Sequence, residues 1–225
     1  MKRISLFAVL LLCFSLTAQT KTTKSFSAFH ALEISGAYEV FFRLGDVHEV
    51  VIVAYGDDHK DVEFDLTNGE LEISSDKSLW NSSKPIQLYI TANKLDEIDL
   101  SGAVSFKAKN AIKGSYIKLD LSGAAQIELE AMVSLLNVDG SGACEIILTG
   151  TTDKLAIDMS GASSLKAEKL KANEVTLELS GACSADVFAK DLANVELSGA
   201  SSLILRGPAE MGYNEVSGAA SIKRK

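Results

Sequence analysis

Arginine, proline, histidine and tryptophan are scarce in this chain of 225 residues, which holds four arginines, two prolines, three histidines and one tryptophan. So little arginine leaves bidentate recognition of phosphate or polyanionic sugar poorly supported. His30, His48 and His59 are scattered through N-terminal strands and turns, without His-Glu-x-x-His or Cys-x-x-Cys spacing nearby, so surface or loop places are expected for them. Serine is plentiful, but no Gly-x-Ser-x-Gly nucleophile elbow occurs. Aromatic residues make up only 7%, a balance that suits stacked strands better than a deep aromatic pocket. Beyond the leader described next, no stretch approaches the ~20 continuous apolar residues of a membrane-crossing helix.

Residues 1–18 read as an export signal, with Lys2 and Arg3 followed by an apolar run from Ile4 to Leu16 and cleavage expected after Ala18. Cys13 follows Leu12, where a lipoprotein signal would place a small residue, so no lipid anchor is expected. The mature chain should be exported and soluble, in the periplasm, at the outer surface or outside the cell. Losing two basic residues with the leader moves the formal charge from −8 to −10. Such a surface repels nucleic acid and anionic lipid.

What is abundant is Ser-Gly-Ala. Eight copies begin at Ser35, Ser101, Ser122, Ser141, Ser160, Ser180, Ser198 and Ser217, the last seven 21, 19, 19, 20, 18 and 19 residues apart. A unit this short cannot bury an apolar face alone, so successive units must stack and share a core. Around each copy apolar residues alternate with polar ones, the pattern of a strand with one buried face. Ile98, Leu119, Val138, Ile157, Leu177 and Val195 form one inward column, three positions before the serine. Leu100, Leu121, Gly140, Met159, Leu179 and Leu197 form another, one position before it. After the corner, Phe106, Ile127, Ile146, Leu165, Ala185, Leu203 and Ile222 form a third.

The glycines Gly36, Gly102, Gly123, Gly142, Gly161, Gly181, Gly199 and Gly218 are assigned to a corner that needs a residue without Cβ. The alanine after each is expected to fill the cramped inside of that corner. Asn110 to Ser115, Thr149 to Lys154, Lys169 to Asn173 and Lys190 to Asn194 carry turn formers and read as loops with a short third side. The expected fold is all-β, a three-sided right-handed parallel β-helix with coils of about 19 residues, since parallel crossovers choose that hand. Cys144 and Cys183 lie two coils apart, about 9.6 Å at ~4.8 Å per coil, too far for a disulfide. Both are expected to be buried free thiols.

Residues 19–95 lack the regular period and read as irregular coils or a cap, continuous with the regular repeats of residues 96–225. Strands are expected at Leu32 to Ile34, Tyr38 to Arg43, Glu49 to Ala54, Val62 to Leu66, Glu70 to Ser74 and Ile86 to Thr91, with a tight turn at Asn68-Gly69. Ser74 to Lys84, holding Trp80, is the most conspicuous loop.

The stretch from Phe29 to Val40, Gly69 to Ile73, and Leu95 to Ala103 with its repeats resemble the bacterial "putative auto-transporter adhesin, head GIN domain" family over nearly the whole mature chain. That resemblance implies a right-handed β-helix similar to pectin lyases and an adhesion role, with no catalytic residue to carry over. Here the third turn residue is alanine throughout, where relatives often have a polar one.

Two residues before every serine stands an acid: Glu33, Asp99, Asp120, Asp139, Asp158, Glu178, Glu196 and Glu215. Alternation points them outward, and carboxylates ~4.8 Å apart repel by about 0.9 kcal/mol even in bulk water. One reading is a weak Ca²⁺ strip at Asp99, Asp120, Asp139, Asp158, Glu178 and Glu196, with oxygen ligands from serine hydroxyls as well. The other is a solvated charged face, with Lys107, Lys118 and Lys166 leaning across it. No other cofactor is expected. The function expected is non-enzymatic, a cell-adhesion or cell-envelope structural or binding protein with a surface glycan or protein as partner. The alternative is a polysaccharide-binding or polysaccharide-cleaving β-helix. Trp80, with Tyr89, could stack on a sugar, or the tryptophan could fold back onto the core. A catalytic site should interrupt the repeat on one face, and neither Arg43 nor Arg206 sits in a motif that does so.

Overall fold

In the computed structural model, residues 19–56, 58–75 and 85–225 are described. The expected export signal at residues 1–18 and residues 76–84 of the expected Trp80 loop lie outside them, while Ser74 and Ser75 end a strand, Glu70–Ser75. Among the described residues all the regular structure is strand, apart from one short 3₁₀ turn at Asp58–Asp61. The chain winds into a β-solenoid of about seven turns.

The regular laps need few elements. Strands β11 (Gln126–Gly140), β12 (Glu145–Met159), β13 (Ser164–Leu179) and β14 (Ser184–Leu197) each run from one Ser-Gly-Ala corner to the next. Consecutive strands pair in parallel, so that Val138, Ile157, Leu177 and Val195 stand in register. All three expected inward columns are buried, except Ile222, which is partly covered on the last lap. Within β13 the inward residues run Leu165, Ala167, Leu170, Ala172, Val175, Leu177 and Leu179. The step of two becomes a step of three at Glu168-Lys169 and again at Asn173-Glu174. With the Ser-Gly-Ala corner these slips give three sides per lap. Of the segments expected as loops, Thr149 to Lys154, Lys169 to Asn173 and Lys190 to Asn194 are hydrogen-bonded strand with shifts of register between laps, whereas Asn110 and Ala111 do lie between strands. An exposed corner satisfies its backbone groups through the adjacent laps and can therefore carry lysine and asparagine without leaving the sheet.

At the Ser-Gly-Ala corner, successive glycines lie one above another. All eight have positive φ, from +69° at Gly199 to +133° at Gly36. In seven of them an added Cβ would stand 2.4–2.8 Å from the carbonyl oxygen of the glycine one lap back. That same oxygen accepts a hydrogen bond of 2.7–2.8 Å from the alanine amide of the next lap, as in Ala162 N–H to Gly142 O. The alanine side chain does not fill the inside of the corner. Ala124, Ala143, Ala162, Ala182 and Ala200 are exposed. Positive φ at the glycine resets the alternation, and the next residue turns inward instead: Val104, Ala125, Cys144, Ser163, Cys183 and Ser201.

Cys144 and Cys183 are free and buried in that column, with Ser163 between them. Their thiols donate to the carbonyls of Ser141 at 3.2 Å and Ser180 at 3.1 Å. Ser163 Oγ makes the same bond to Ser160 O at 3.1 Å and accepts from the Cys144 amide at 3.3 Å. Cysteine and serine thus do one job here, tying the corner to its own serine carbonyl.

The N-terminal part holds β1 (Gln19–Ser25), β2 (Ala31–Gly36), β3 (Tyr38–Leu44), β4 (Glu49–Tyr55), β5 (Val62–Thr67), β6 (Glu70–Ser75), β7 (Ile86–Ala92), β8 (Glu97–Gly102) and β9 (Ser105–Ala108). The expected strands are all present; β1 was not foreseen, because its Thr/Lys sequence has no apolar residue. Strand β2 pairs in parallel with both β6 and β8, and β3 with both β7 and β9. The β2–β3 lap is therefore sandwiched between a later lap, β6–β7, and the first regular one, β8–β9. Antiparallel strands close the end: β5 folds onto β6 through Asn68-Gly69 (φ +54° and +84°), β4 covers the edge of β7, and β1 covers β4. One apolar core runs from Phe29 to Ala209 through cap and laps alike. At the other end β15 (Ser202–Arg206), β16 (Glu210–Val216) and β17 (Ser221–Arg224) finish the stack, reached from β8 by β10 (Ile112–Leu121).

Candidate functional site: an acidic ladder and an aromatic groove

The eight acids do form one ladder. Register places Glu33 beside Asp99, then Asp120, Asp139, Asp158, Glu178, Glu196 and Glu215 in turn. It also adds Glu72, beside Glu33, and Asp65, opposite Glu72. Those two were missed because their strands carry no Ser-Gly-Ala to align on. Midway along, Asp99, Asp120, Asp139 and Asp158 with the serines at 122, 141 and 160 line a shallow depression of about 310 Å³.

Crowding of like charge shows in the proton affinities. Burial pushes the Asp99 carboxyl up from its ordinary value, and the charge of Asp120 adds to it. Asp139 is raised by burial, then by the charge of Asp120 and a hydrogen bond with it. Glu33 is raised by burial and then by Asp99 and Glu72. Only one of the three named lysines leans on the ladder. Lys118 Nζ lies 2.6 Å from Asp120 Oδ2 and 2.9 Å from Glu97 Oε1, and these carboxylates hold its own proton more tightly than usual. Lys107 and Lys166 instead pair with Glu128 and Glu145 beyond the corner, at 2.5 and 2.6 Å. Among the described residues no group of three or more acids, histidines or cysteines is drawn together for a metal ion. The geometry suits proton sharing between neighbouring carboxyls.

Of the two arginines singled out, Arg206 spans adjacent laps with a bidentate pair to Asp186, at 2.6 and 2.7 Å. The other, Arg43, lies at a second surface feature. The outer faces of β4, β7 and β3 form a groove of about 710 Å³. Its middle row is Val51, Tyr89 and Phe41, one residue from each strand in direct register. The rings of Phe41 and Tyr89 stack with centroids 4.9 Å apart, and Lys109 Nζ sits 4.1 Å over the Phe41 ring. One flank is Glu49, Thr91 and Arg43; the other is Val53, Gln87 and Glu39. Arg43 Nε donates to Thr91 Oγ1 at 3.1 Å, and Gln87 Nε2 to Glu39 Oε2 at 2.8 Å. Sequence reasoning reached Tyr89 but not the groove. The signal available was the unbroken apolar runs of β4 and β3, whose outward positions Val51, Val53 and Phe41 depart from the polar-out rule of the laps.

Several solved structures share this architecture. A "putative adhesin" of Bacteroides fragilis NCTC 9343 superposes with a TM-score of 0.85 at 16% identity, covering 92% of this chain and 97% of that one. A "putative adhesin" of Parabacteroides merdae ATCC 43184 gives 0.73 at 18%, covering 92% and 96%. A "putative lipid binding protein" of Parabacteroides distasonis ATCC 8503 gives 0.74 at 15%, also covering 92% and 96%. At such identities the likeness is one of fold. A search of curated proteins finds no match. Residues 28–209 match the family described as "Putative auto-transporter adhesin, head GIN domain", and the chain belongs to that family.

Proposed function

We propose that this protein is an exported adhesion protein, a right-handed parallel β-solenoid that acts by binding at the cell envelope or beyond it and does not cleave what it binds. Membership of the adhesin family over residues 28–209 carries the reading. Two physical features agree with it. Side chains on the outer faces of the laps recur in register, as in the acidic ladder, which suits an extended contact surface more than a single reacting centre. The parallel pairing of successive laps favours the right-handed coil.

The test has two arms. Labelled mature chain should adhere to intact cells or to isolated envelope, and the exported form should begin after Ala18 by N-terminal sequencing. Incubation with acidic and neutral polysaccharides should release no unsaturated or reducing ends. Cleavage in that assay, or failure to adhere to any cell or envelope preparation, overturns the proposal.

A further inference from the structure

The groove on β3, β4 and β7 differs in sign from the rest of the molecule. Its charged lining is Lys21, Arg43 and Lys109 against Glu49, with Glu39 on the far flank engaged by Gln87, on a chain whose formal charge is −8. Glu49 is itself only 3.9 Å from Arg43, whose side chain remains 62% exposed. Guanidinium donors not used by Thr91 therefore face the opening. Tyr89 is 41% exposed, unusual for a large apolar side chain here, and the half-buried Phe41, Val51 and Val53 extend its apolar strip.

A narrow apolar strip bordered by amide, hydroxyl and cationic groups matches a sugar ring, which offers C–H faces and hydroxyls together. A volume near 710 Å³ falls within the roughly 300–1,000 Å³ of small-ligand sites. Three cations around the strip select a sugar that carries carboxylate. A lipid fits less well, because the groove is open and its apolar strip is a single row of side chains bordered by polar and charged groups. We propose that this groove is a binding site for an acidic oligosaccharide. Tyr89, backed by Phe41, packs against a sugar ring, Arg43 and Lys109 take its carboxylates, and Gln87 and Thr91 meet its hydroxyls. The inference rests on the adhesion reading above and assigns it a ligand class.

Galacturonic acid oligomers are the probe, titrated into the mature chain by calorimetry, with glucose oligomers and phosphatidylglycerol vesicles as comparisons. The expected result is binding of the galacturonate oligomers that weakens with salt, and little binding of the neutral ones. Tyr89→Ala and Arg43→Gln should each lower affinity about tenfold or more, some 1.4 kcal/mol. Tyr89→Phe should retain most of it, and Glu130→Gln, exposed on β11 away from the groove, should leave the affinity unchanged. Thermal melts of every variant keep loss of fold apart from loss of contact. No binding of the acidic oligomers, equal binding by Tyr89→Ala and Arg43→Gln, or binding of the vesicles alone overturns the proposal. Cell adherence is measured beside it. Adherence without oligomer binding sinks the groove and leaves the adhesion reading standing, whereas oligomer binding without adherence does the reverse.

Discussion

The carbonyl oxygen of Gly142 lies 2.4 Å from the point where a Cβ on Gly161 would stand. No rotamer relieves that contact, because both partners are backbone, and Gly161 also has a φ of +79°. Gly161→Ala should therefore cost about 3 kcal/mol or more, from strain in the left-handed region and a forced separation of two laps. Gly114 is the control: it has ordinary φ, and its nearest non-neighbour atom to an added Cβ is 3.9 Å away. Gly114→Ala should be neutral or stabilising by about 0.5 kcal/mol. Urea unfolding of both variants measures the contrast, and equal midpoints would remove the steric account of the corner.

Ser201 occupies the column of Cys144, Ser163 and Cys183, but its buried hydroxyl finds no hydrogen-bond partner. Ser201→Ala should stabilise the protein by about 1 kcal/mol, while Ser163→Ala should cost a similar amount, because Ser163 bonds both Ser160 and Cys144. Thermal melts that rank these two variants the other way would refute the assignment.

Raised carboxyls on the ladder tie stability to pH. A carboxyl with a higher proton affinity in the folded state than in the unfolded one takes up a proton on folding between the two values. Its stabilising contribution is complete below the unfolded value and is lost as pH rises through the folded one. Asp139→Asn removes such a group, so it should raise stability at neutral pH, with the advantage shrinking as the solution is acidified through the raised value and gone below the ordinary carboxylate value. An advantage independent of pH would argue against crowding as the cause.

Calcium should act on the ladder as salt does. With no trio of acids drawn together among the described residues, millimolar calcium should raise the melting temperature no more than magnesium at equal ionic strength, through screening of the repulsion. Selective stabilisation by calcium that Asp120→Asn with Asp139→Asn abolishes would favour the cation strip over the solvated face.

The Cys144 thiol is pushed up from its ordinary value by burial, and Cys183 lies equally deep. Neither should react with Ellman's reagent at neutral pH until the protein unfolds, and then both should. Rapid reaction in the native state would place them nearer the surface.

The laps were legible in the sequence because each repeats the same inward residues at the same distance from a fixed glycine. Leu100, Leu121 and Leu179 stand in one buried column as the period required. What misled was local composition. Lysine and asparagine between residues 169 and 173 look like a loop, yet adjacent laps supply the hydrogen bonds a loop would seek in water. The alanine of the corner was placed by size, whereas the sign of φ at the preceding glycine decides which way it points. The ladder could be read as far as the serine alignment reached, and stopped short of Glu72 and Asp65. The groove depends on β4 pairing antiparallel with β7 across 30 or more residues of chain, a partnership that no local pattern encodes.

The placing of β2–β3 between β6–β7 and β8–β9 bears on how the molecule is made. Both of its neighbours come later in the chain, so the lap synthesised first stays uncovered on both sides until residues 70 onward arrive. The solenoid must then build outward from an interior seed, adding coil after coil on one side and a lid on the other.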